Sequence, residues 1–194
     1  VSLACTGLAA LPPHRARNLL RWFLRQHGLP APSAARVDAM LDQLATARAD
    51  AAIRLVHAGA EVGVHRGRII VHAPPPPAFD VAWSGEGEVT LPHGVVRFTR
   101  TPGAGVDAQR LVAAPVHVRS RSGGERLQLA VNRPRRALKA ILQDAAIPPW
   151  QRQALPLVYS GPSLAAVAGL AVDAEFIAAA TADGITISWH PAVR

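Results

Sequence analysis

The residues of this chain that are best suited to chemistry are its arginines, because their charge is concentrated in two segments. The chain has 194 residues and a formal net charge of +8 at pH 7. Residues 1–36 contain five arginines and no acidic residue, and residues 110–152 contain nine Lys or Arg against only Glu125 and Asp144. A near-neutral segment separates the two. This distribution favours a long anion bound at two places over a small acidic ligand.

Individual cations can be assigned to this predicted anion-binding surface. The competing interpretation of the cluster around residues 133–139 is an ordinary solvated helix face. Phosphate contact is favoured, because cations near the start of a helix oppose its dipole unless an anion joins them. The candidate residues are Arg17, Arg21, Arg25, Arg119, Arg121, Arg126, Arg133, Arg135, Arg136, Lys139 and Arg152.

Gly123 and Gly124 lie within Ser-Gly-Gly-Glu-Arg, which is similar to the Ser-Gly-Gly-x-Asp-Ser phosphate loop of some ATP pyrophosphatases. That loop needs its Asp and Ser and must lead into a helix. Here Glu125-Arg126 replaces the pair, and the residues after it alternate as in a strand. The two glycines therefore predict a hairpin turn rather than a nucleotide loop.

A rigid corner, Pro148-Pro149-Trp150, follows the second basic segment. Trp150 could be a stacking platform for a nucleic-acid base. A tryptophan behind two prolines is more often a core side chain that fixes a turn, and we favour that role.

Neither a catalytic nor a metal site is predicted. The eight histidines show no metal-ligand spacing, and no nucleophile motif accompanies the Ser, His and Asp residues. The single Cys5 suits a reducing cytoplasm. No apolar run approaches the roughly 20 residues of a membrane span, so no membrane partner is expected. Val1 in place of an initiator Met suggests a piece of a longer protein.

Hydrophobic periodicity predicts an α+β fold with two small domains. A helix over 14–27, ended by Gly28, and a second helix capped by Ser33 form a hairpin that packs on antiparallel strands near 53–57, 61–65 and 68–72. These make a first domain of residues 1–75. Residues 76–110 read as a linker with short strands, because Pro74 to Pro77 break regular structure.

Residues 111–194 are predicted to form a C-terminal domain with a mixed β-sheet and one main helix. The sequence pattern places this helix at 135–145 and a short helical turn after Pro149. Strands are expected at 116–121, 127–131, 155–159, 164–169 and 185–189.

Several motifs resemble the tRNA(Ile)-lysidine synthetase family. The Gly-Gly-Glu-Arg turn, Leu138-Lys139, Gln143, Ile147-Pro148-Pro149-Trp150, Arg152 and Pro156-Leu157 follow the order and spacing of its C-terminal domain. Arg17-Asn18-Leu19-Leu20-Arg21-Trp22 and Leu29-Pro30 are similar to its middle, substrate-recognition domain. The segment from Pro74 to Arg110 matches least, and Asn132-Arg133-Pro134-Arg135-Arg136 departs from the glycines and lysines common in relatives.

The resemblance implies a tRNA-binding role. Enzymes of this family use ATP, with Mg, to adenylate the wobble cytidine of an isoleucine tRNA and then attach lysine. That chemistry belongs to an N-terminal domain that this chain does not contain. The chain is therefore expected to hold tRNA(Ile) without a cofactor of its own and to be inactive alone. The open alternative is a basic module that binds an acidic protein or a small molecule, and a homodimer is a further expectation.

Overall fold

The computed structural model describes residues 2–46 and 53–192, which belong to two compact units, one ending at Pro74 and the other beginning at Pro75. Each unit has its own hydrophobic core. Both combine helices with antiparallel strands, so the expected α+β fold is confirmed. In the part of the chain that the structure describes, no helix is long and apolar enough to cross a membrane.

The first unit begins with strand β1 (Leu3–Ala4) and helix α1 (Cys5–Ala9), which the sequence pattern did not indicate. Helix α2 (Pro13–Gln26) and helix α3 (Ala34–Ala45) form the predicted hairpin. Proline is tolerated in the first turn of α2 because the amide there needs no intrahelical partner. The N-cap prediction for α3 is confirmed, since Ser33 Oγ accepts a hydrogen bond from the Arg36 amide at 3.3 Å.

The helix pair packs on a four-stranded sheet. Its other strands are β2 (Leu55–His57), β3 (Ala60–His65) and β4 (Arg68–His72), and the spatial order is β1-β4-β3-β2. Both hairpin turns place their two central residues at positive φ, as type I′ turns require; the second uses Arg66 at 50° and Gly67 at 70°. Leu20, Phe23 and Leu24 of α2 are fully buried in the resulting core.

The second unit contains eleven described strands, three short α-helices and a 3₁₀ turn at Ala174–Phe176. The elements of its first part are β5 (Asp80–Trp83), β6 (Glu88–Leu91), β7 (Gly94–Arg100), β8 (Val106–Asp107), α4 (Ala108–Leu111) and β9 (Val116–Arg119). Its second part contains β10 (Arg126–Leu127), β11 (Arg136–Ala137), α5 (Leu138–Asp144), α6 (Pro149–Ala154), β12 (Leu157–Ser160), β13 (Ser163–Val167), β14 (Ala171–Val172) and β15 (Gly184–Pro191).

These strands form a five-stranded sheet in the order β14-β13-β12-β9-β5, a four-stranded sheet in the order β6-β7-β15-β8, and a small ribbon of β10 and β11. The five-stranded sheet has a core on each face. Val158 packs in the core that it shares with the four-stranded sheet, whereas Leu157 packs in the core that contains α5. Successive residues of a strand point to opposite faces, which explains why the adjacent residues Leu157 and Val158 are both apolar and fully buried.

Every pairing of the described strands in the second unit is antiparallel. The C-terminal sheets are therefore antiparallel, whereas a mixed sheet was predicted. Short connections, such as the two residues between β12 and β13, can join only antiparallel neighbours. Residues 76–110, predicted to be a linker with short strands, contribute β5 to the five-stranded sheet and three strands to the four-stranded sheet.

Helix α5 begins three residues later than predicted. Arg136 and Ala137 pair with Leu127 and Arg126 in the ribbon, and the Leu138 amide donates to the carbonyl of Glu125 at 2.8 Å. A backbone that is extended for strand pairing cannot also be helical. The same ribbon shortens the strand predicted at 127–131 to Arg126–Leu127.

Candidate nucleic-acid interface

The three predicted arginines of α2 differ in their partners. Arg17 donates to both carboxylate oxygens of Asp38 on α3, at 2.5 and 3.2 Å. The hydrogen bond from Arg17 is the largest cause that lowers the pKa of Asp38, and the charge of Arg21 adds to it. Arg17 therefore links the two helices. Arg25 is exposed and has no ion pair among residues 2–46 and 53–192, so its charge is available to a ligand.

Arg119 lies at the end of β9, beside an acidic residue of β5. Its Nε is 3.0 Å from Oδ2 of Asp80, but the N–H is not aligned for a hydrogen bond, and the guanidinium carbon is 5.3 Å above the ring of Tyr159. Asp80 also contacts His117 Nδ1 at 2.6 Å. The His117 hydrogen bond is the largest cause that lowers the pKa of Asp80, and the nearby charge of Arg119 adds to it. The guanidinium is thus held on the sheet by an aromatic ring and a carboxylate.

The Ser122-Gly123-Gly124 turn is organised by the carboxylate of Glu125. This side chain is only 3% exposed and accepts hydrogen bonds from the amides of Ser122 at 2.8 Å and Gly123 at 2.7 Å and from Arg121 at 3.1 Å. Burial alone would raise the pKa of Glu125, but the Gly123 amide, Arg121 and the Ser122 amide together lower it. The turn donates its amides to the chain's own carboxylate, which argues against a phosphate loop. The predicted hairpin is wrong, because β9 before the turn and β10 after it lie in different sheets.

Arg135 is bound to a buried acid. Its guanidinium lies 3.1 Å from Asp173, which has no exposed surface, and 2.9 Å from Glu175. Asp173 also accepts from the amides of Gln128 at 2.9 Å and Glu175 at 3.1 Å. Arg135 had been predicted to be a helical surface cation; it precedes the helix and neutralises a buried charge, because the ribbon sets it against the 3₁₀ turn.

The remaining predicted cations of the second unit include two that the structure leaves available. Arg126 donates to the carbonyl of Arg135 at 2.7 Å, and Arg136 forms an exposed pair with Asp144 at 2.6 Å. Arg133 and Lys139 are exposed and have no ion pair within the described residues. Phosphate contact is therefore simplest at Arg133 and Lys139, where no carboxylate has to be displaced.

The Pro148-Pro149-Trp150 corner starts α6, with Pro148 at the N-cap and Pro149 in the first turn. Arg152 holds the corner by donating from Nε to the carbonyl of Ile147 at 2.6 Å. Trp150 is half-buried and is absent from the fully buried side chains of the core. The role of Trp150 as a core side chain that fixes the turn stays a prediction, and the residue is only partly buried on a helix that has no fully buried residue.

A cleft of about 380 Å³ lies beside the glycine turn. Arg126, Arg135 and Tyr159 contribute to its walls. Sequence reasoning missed Tyr159 because the signal was spatial: it is the cross-strand neighbour of His117, and only the pairing of β12 with β9 brings it to Arg119. Arg15 belongs to the first basic segment but was not predicted as a site residue, and it is exposed on α2.

Among residues 2–46 and 53–192, no group of three or more His, Cys, Asp or Glu side chains is arranged to hold a metal ion. The chemistry that the described geometry offers is ionic and hydrogen-bonding. Arginines fixed on helices and strands of both units, together with exposed cations beside them, define a basic protein of the α+β class.

Comparison with known proteins gives the family. Residues 3–70 match the TilS substrate binding domain, and residues 116–189 match the TilS substrate C-terminal domain. The chain therefore belongs to the tRNA(Ile)-lysidine synthetase family, as its motifs indicated.

Curated relatives agree with this assignment. The chain is 40% identical to a tRNA(Ile)-lysidine synthase of Nitrosomonas europaea, over 97% of the chain and 42% of the relative. It is 37% identical to the synthase of Ralstonia nicotianae, over 99% of the chain and 44% of the relative, and 33% identical to that of an Azoarcus species, over 98% and 42%. The chain thus spans less than half the length of these relatives.

Proposed function

We propose that this chain is the tRNA-holding part of a tRNA(Ile)-lysidine synthetase. In the complete enzyme, ATP with Mg would activate the wobble cytidine of tRNA(Ile), and lysine would then be attached. The observation that carries the proposal is the placement of cations on rigid elements of both matched domains. Arg25 on α2 and Lys139 on α5 are exposed and unpaired within the described residues, while neighbouring arginines are fixed by carboxylates or carbonyls.

This arrangement suits the backbone of folded RNA. Proteins recognise RNA double helices mainly by shape, phosphates and 2′-hydroxyls, so separated cations on fixed elements serve better than base-reading side chains. We assign the tRNA contacts to Arg17, Arg21, Arg25, Arg119, Arg121, Arg126, Arg133, Arg135, Arg136, Lys139 and Arg152. Of these, Arg25, Arg133 and Lys139 would contact phosphates directly, and the partnered arginines would act mainly by shaping the surface.

The chain is not proposed to perform the ligase chemistry alone. Its one sequence resembling a pyrophosphate loop is the turn at Ser122–Glu125, whose amides donate to the carboxylate of Glu125. A pyrophosphate group would have to displace a charge of its own sign. We expect tRNA binding without ATP hydrolysis or lysidine formation by this chain.

A salt-titrated binding assay tests the proposal. The chain is titrated with tRNA(Ile), with duplex DNA and with an acidic protein at several salt concentrations. Binding to tRNA should weaken linearly in log–log form as salt rises, with a slope that scales with the number of phosphates contacted. A flat salt response, or preference for the acidic protein, would contradict the proposal and favour a protein-binding module.

The cellular setting and assembly are also proposals. A tRNA-modifying enzyme would act in the cytoplasm, and a homodimer of the chain is proposed as its assembly, which the sequence itself does not determine. Fractionation of cells and sedimentation of the purified chain at several concentrations would test each statement separately.

A further inference from the structure

Trp22 is an aromatic side chain on the surface of α2. It is 44% exposed, whereas Trp83 is 8% exposed and Trp150 and Trp189 are half-buried. The opposite side of the helix buries Leu20 and Leu24 completely. Trp22 therefore contributes its ring to the solvent-facing side of the helix, although the burial of so large an apolar surface would be favourable.

Three of the four helix neighbours of Trp22 are polar or cationic, and the fourth, Leu19, is partly buried against the core of the first unit. Residues three and four positions apart are adjacent on a helix surface, which places Asn18, Arg25 and Gln26 around Trp22. All three are exposed. Helix α2 contains no acidic residue, and Arg17, which has an acidic partner, is on the side that faces α3. An exposed ring thus lies among hydrogen-bond donors and an unpaired cation.

We propose that Trp22 is a stacking platform for an unpaired RNA base, with Arg25 contacting an adjacent phosphate. The proposal rests on the proposed tRNA-binding function and adds a class of ligand to it: nucleotides of a loop, whose bases are free to stack. A protein partner would require a wider apolar patch than one ring within a positive helix face. Bases of a closed duplex are already stacked on each other and cannot use the ring.

Three RNA ligands separate base stacking from charge. The first is a stem-loop, the second is the same stem-loop with abasic loop nucleotides, and the third is the stem as a blunt duplex. All present phosphates, but only the first presents unpaired bases. Each is titrated with the wild-type chain, with Trp22→Phe, which keeps an aromatic face, and with Trp22→Leu, which keeps only apolar character.

Trp22→Leu should lower affinity for the intact stem-loop by roughly 5- to 150-fold, the range that stacking on an aromatic side chain represents. It should leave affinity for the abasic stem-loop and the duplex unchanged, and Trp22→Phe should retain most of the stem-loop affinity. Val56→Ala is the control, because Val56 is also exposed in the first unit, at 51%, and should bind all three ligands as the wild type does.

Tryptophan fluorescence gives an independent readout. The intact stem-loop should quench the emission of the wild-type chain, and this part of the quenching should be missing in Trp22→Phe although that variant still binds. Arg25→Gln should lower the affinity for all three RNAs and reduce the slope of the salt dependence. Arg66→Gln, which changes an exposed arginine on the β3–β4 turn, should lower the affinity and the slope by less.

Two results would overturn the inference while leaving tRNA binding intact. One is wild-type affinity of Trp22→Leu for the intact stem-loop. The other is an equal loss for all three ligands, which would mean that the ring supports the helix and does not stack on a base. If the wild-type chain binds none of the RNAs, the proposed function itself fails, and the inference fails with it.

Discussion

Acidic partners distinguish two kinds among the basic side chains of this protein. Arg121 and Arg135 are bound to carboxylates with almost no exposed surface, those of Glu125 and Asp173. Lys139 and Arg133 are exposed without an ion pair in the described part of the chain. The first kind should matter for folding, because a buried charge that loses its partner is costly, and the second kind for binding.

Arg135→Ala and Lys139→Ala should therefore give opposite results. The first should lower the free energy of unfolding by about 1–3 kcal/mol, because Asp173 loses a charged donor. The second should leave stability unchanged, weaken tRNA binding and reduce the salt slope by up to one contact. Urea unfolding and salt-titrated binding measure the two effects. Equal loss of stability in both variants would contradict the division.

The carboxylate of Glu125 should make stability depend on acid pH. Its pKa in the folded chain is below the ordinary value of 4.5, so the unfolded chain takes up a proton first as the pH falls. The stabilisation is thus complete above about pH 4.5 and is lost as the pH falls through the lowered pKa.

Glu125→Gln isolates this contribution. The difference in unfolding free energy between the wild type and Glu125→Gln should be largest at neutral pH and should shrink below about pH 4.5. Asp183→Asn, which changes an exposed carboxylate without an ion pair in the described part of the chain, is the control for general acid effects. A difference that stays constant from neutral to acid pH would show that the charge of Glu125 is not responsible.

At the scale of elements, a close backbone crossing determines how β15 joins the four-stranded sheet. A Cβ atom at Gly184 would overlap the carbonyl oxygen of Ala104 and lie 2.6 Å from that of Thr101. Gly105, at φ 76°, meets the carbonyl of Ile185 in the same way. Two glycines thus allow β8 to approach β15 closely enough for Gly184 to pair with Asp107.

Gly184→Ala should therefore destabilise the second unit by about 1–3 kcal/mol or more, as overpacking against backbone does. Gly87→Ala is the matched control, because a Cβ there meets no atom within 4 Å. Thermal unfolding compares the two, and a Gly184→Ala melting temperature equal to that of Gly87→Ala would show that the crossing can relax.

Elements that depend on local pattern could be predicted from the sequence, and those that depend on partners could not. Helix α2 follows from apolar spacing with Pro13 at its first position and Gly28 after it, both of which are local signals. The start of α5 depends on pairing between residues 126 and 137, and the role of Arg135 depends on Asp173, 38 positions away. Those contacts join positions whose separation in sequence carries no periodic signal.

The candidate site shows the same limit. The positions of the cations could be read from composition, but which of them are neutralised could not. Trp150 was assigned to the core from the general burial of tryptophan, yet the short helix α6 leaves it half-buried. Trp22 could be recognised from the sequence only as part of the Arg17–Trp22 motif, because its exposure depends on which side of α2 packs against the sheet.

At the scale of the whole molecule, the chain consists of two units that meet in sequence at Pro74 and Pro75. The first contains one hydrophobic core and the second contains two, and none of the described cores includes residues of both units. A unit with its own core should fold independently.

Residues 1–74 and 75–194 expressed separately should therefore each unfold cooperatively. Each should bind tRNA more weakly than the intact chain, because linkage raises the effective concentration of the second contact and can strengthen binding by about 10²–10⁴-fold. Circular dichroism and the salt-titrated binding assay would test both statements. If neither piece folds, or if one binds as tightly as the whole chain, binding by two linked units is wrong.

The two cores on the five-stranded sheet have a consequence for how the protein opens to solvent. Strand β12 is hydrogen-bonded to β9 on one side and β13 on the other, and both of its faces are covered. Its amide hydrogens can reach water only when the second unit unfolds as a whole. Amides of Leu157 and Val158 should therefore exchange with deuterium most slowly in that unit, at a rate set by its global stability. The amides of the ribbon formed by β10 and β11 should exchange through local opening. Only the exchange rates of the β12 amides should therefore rise as denaturant is added.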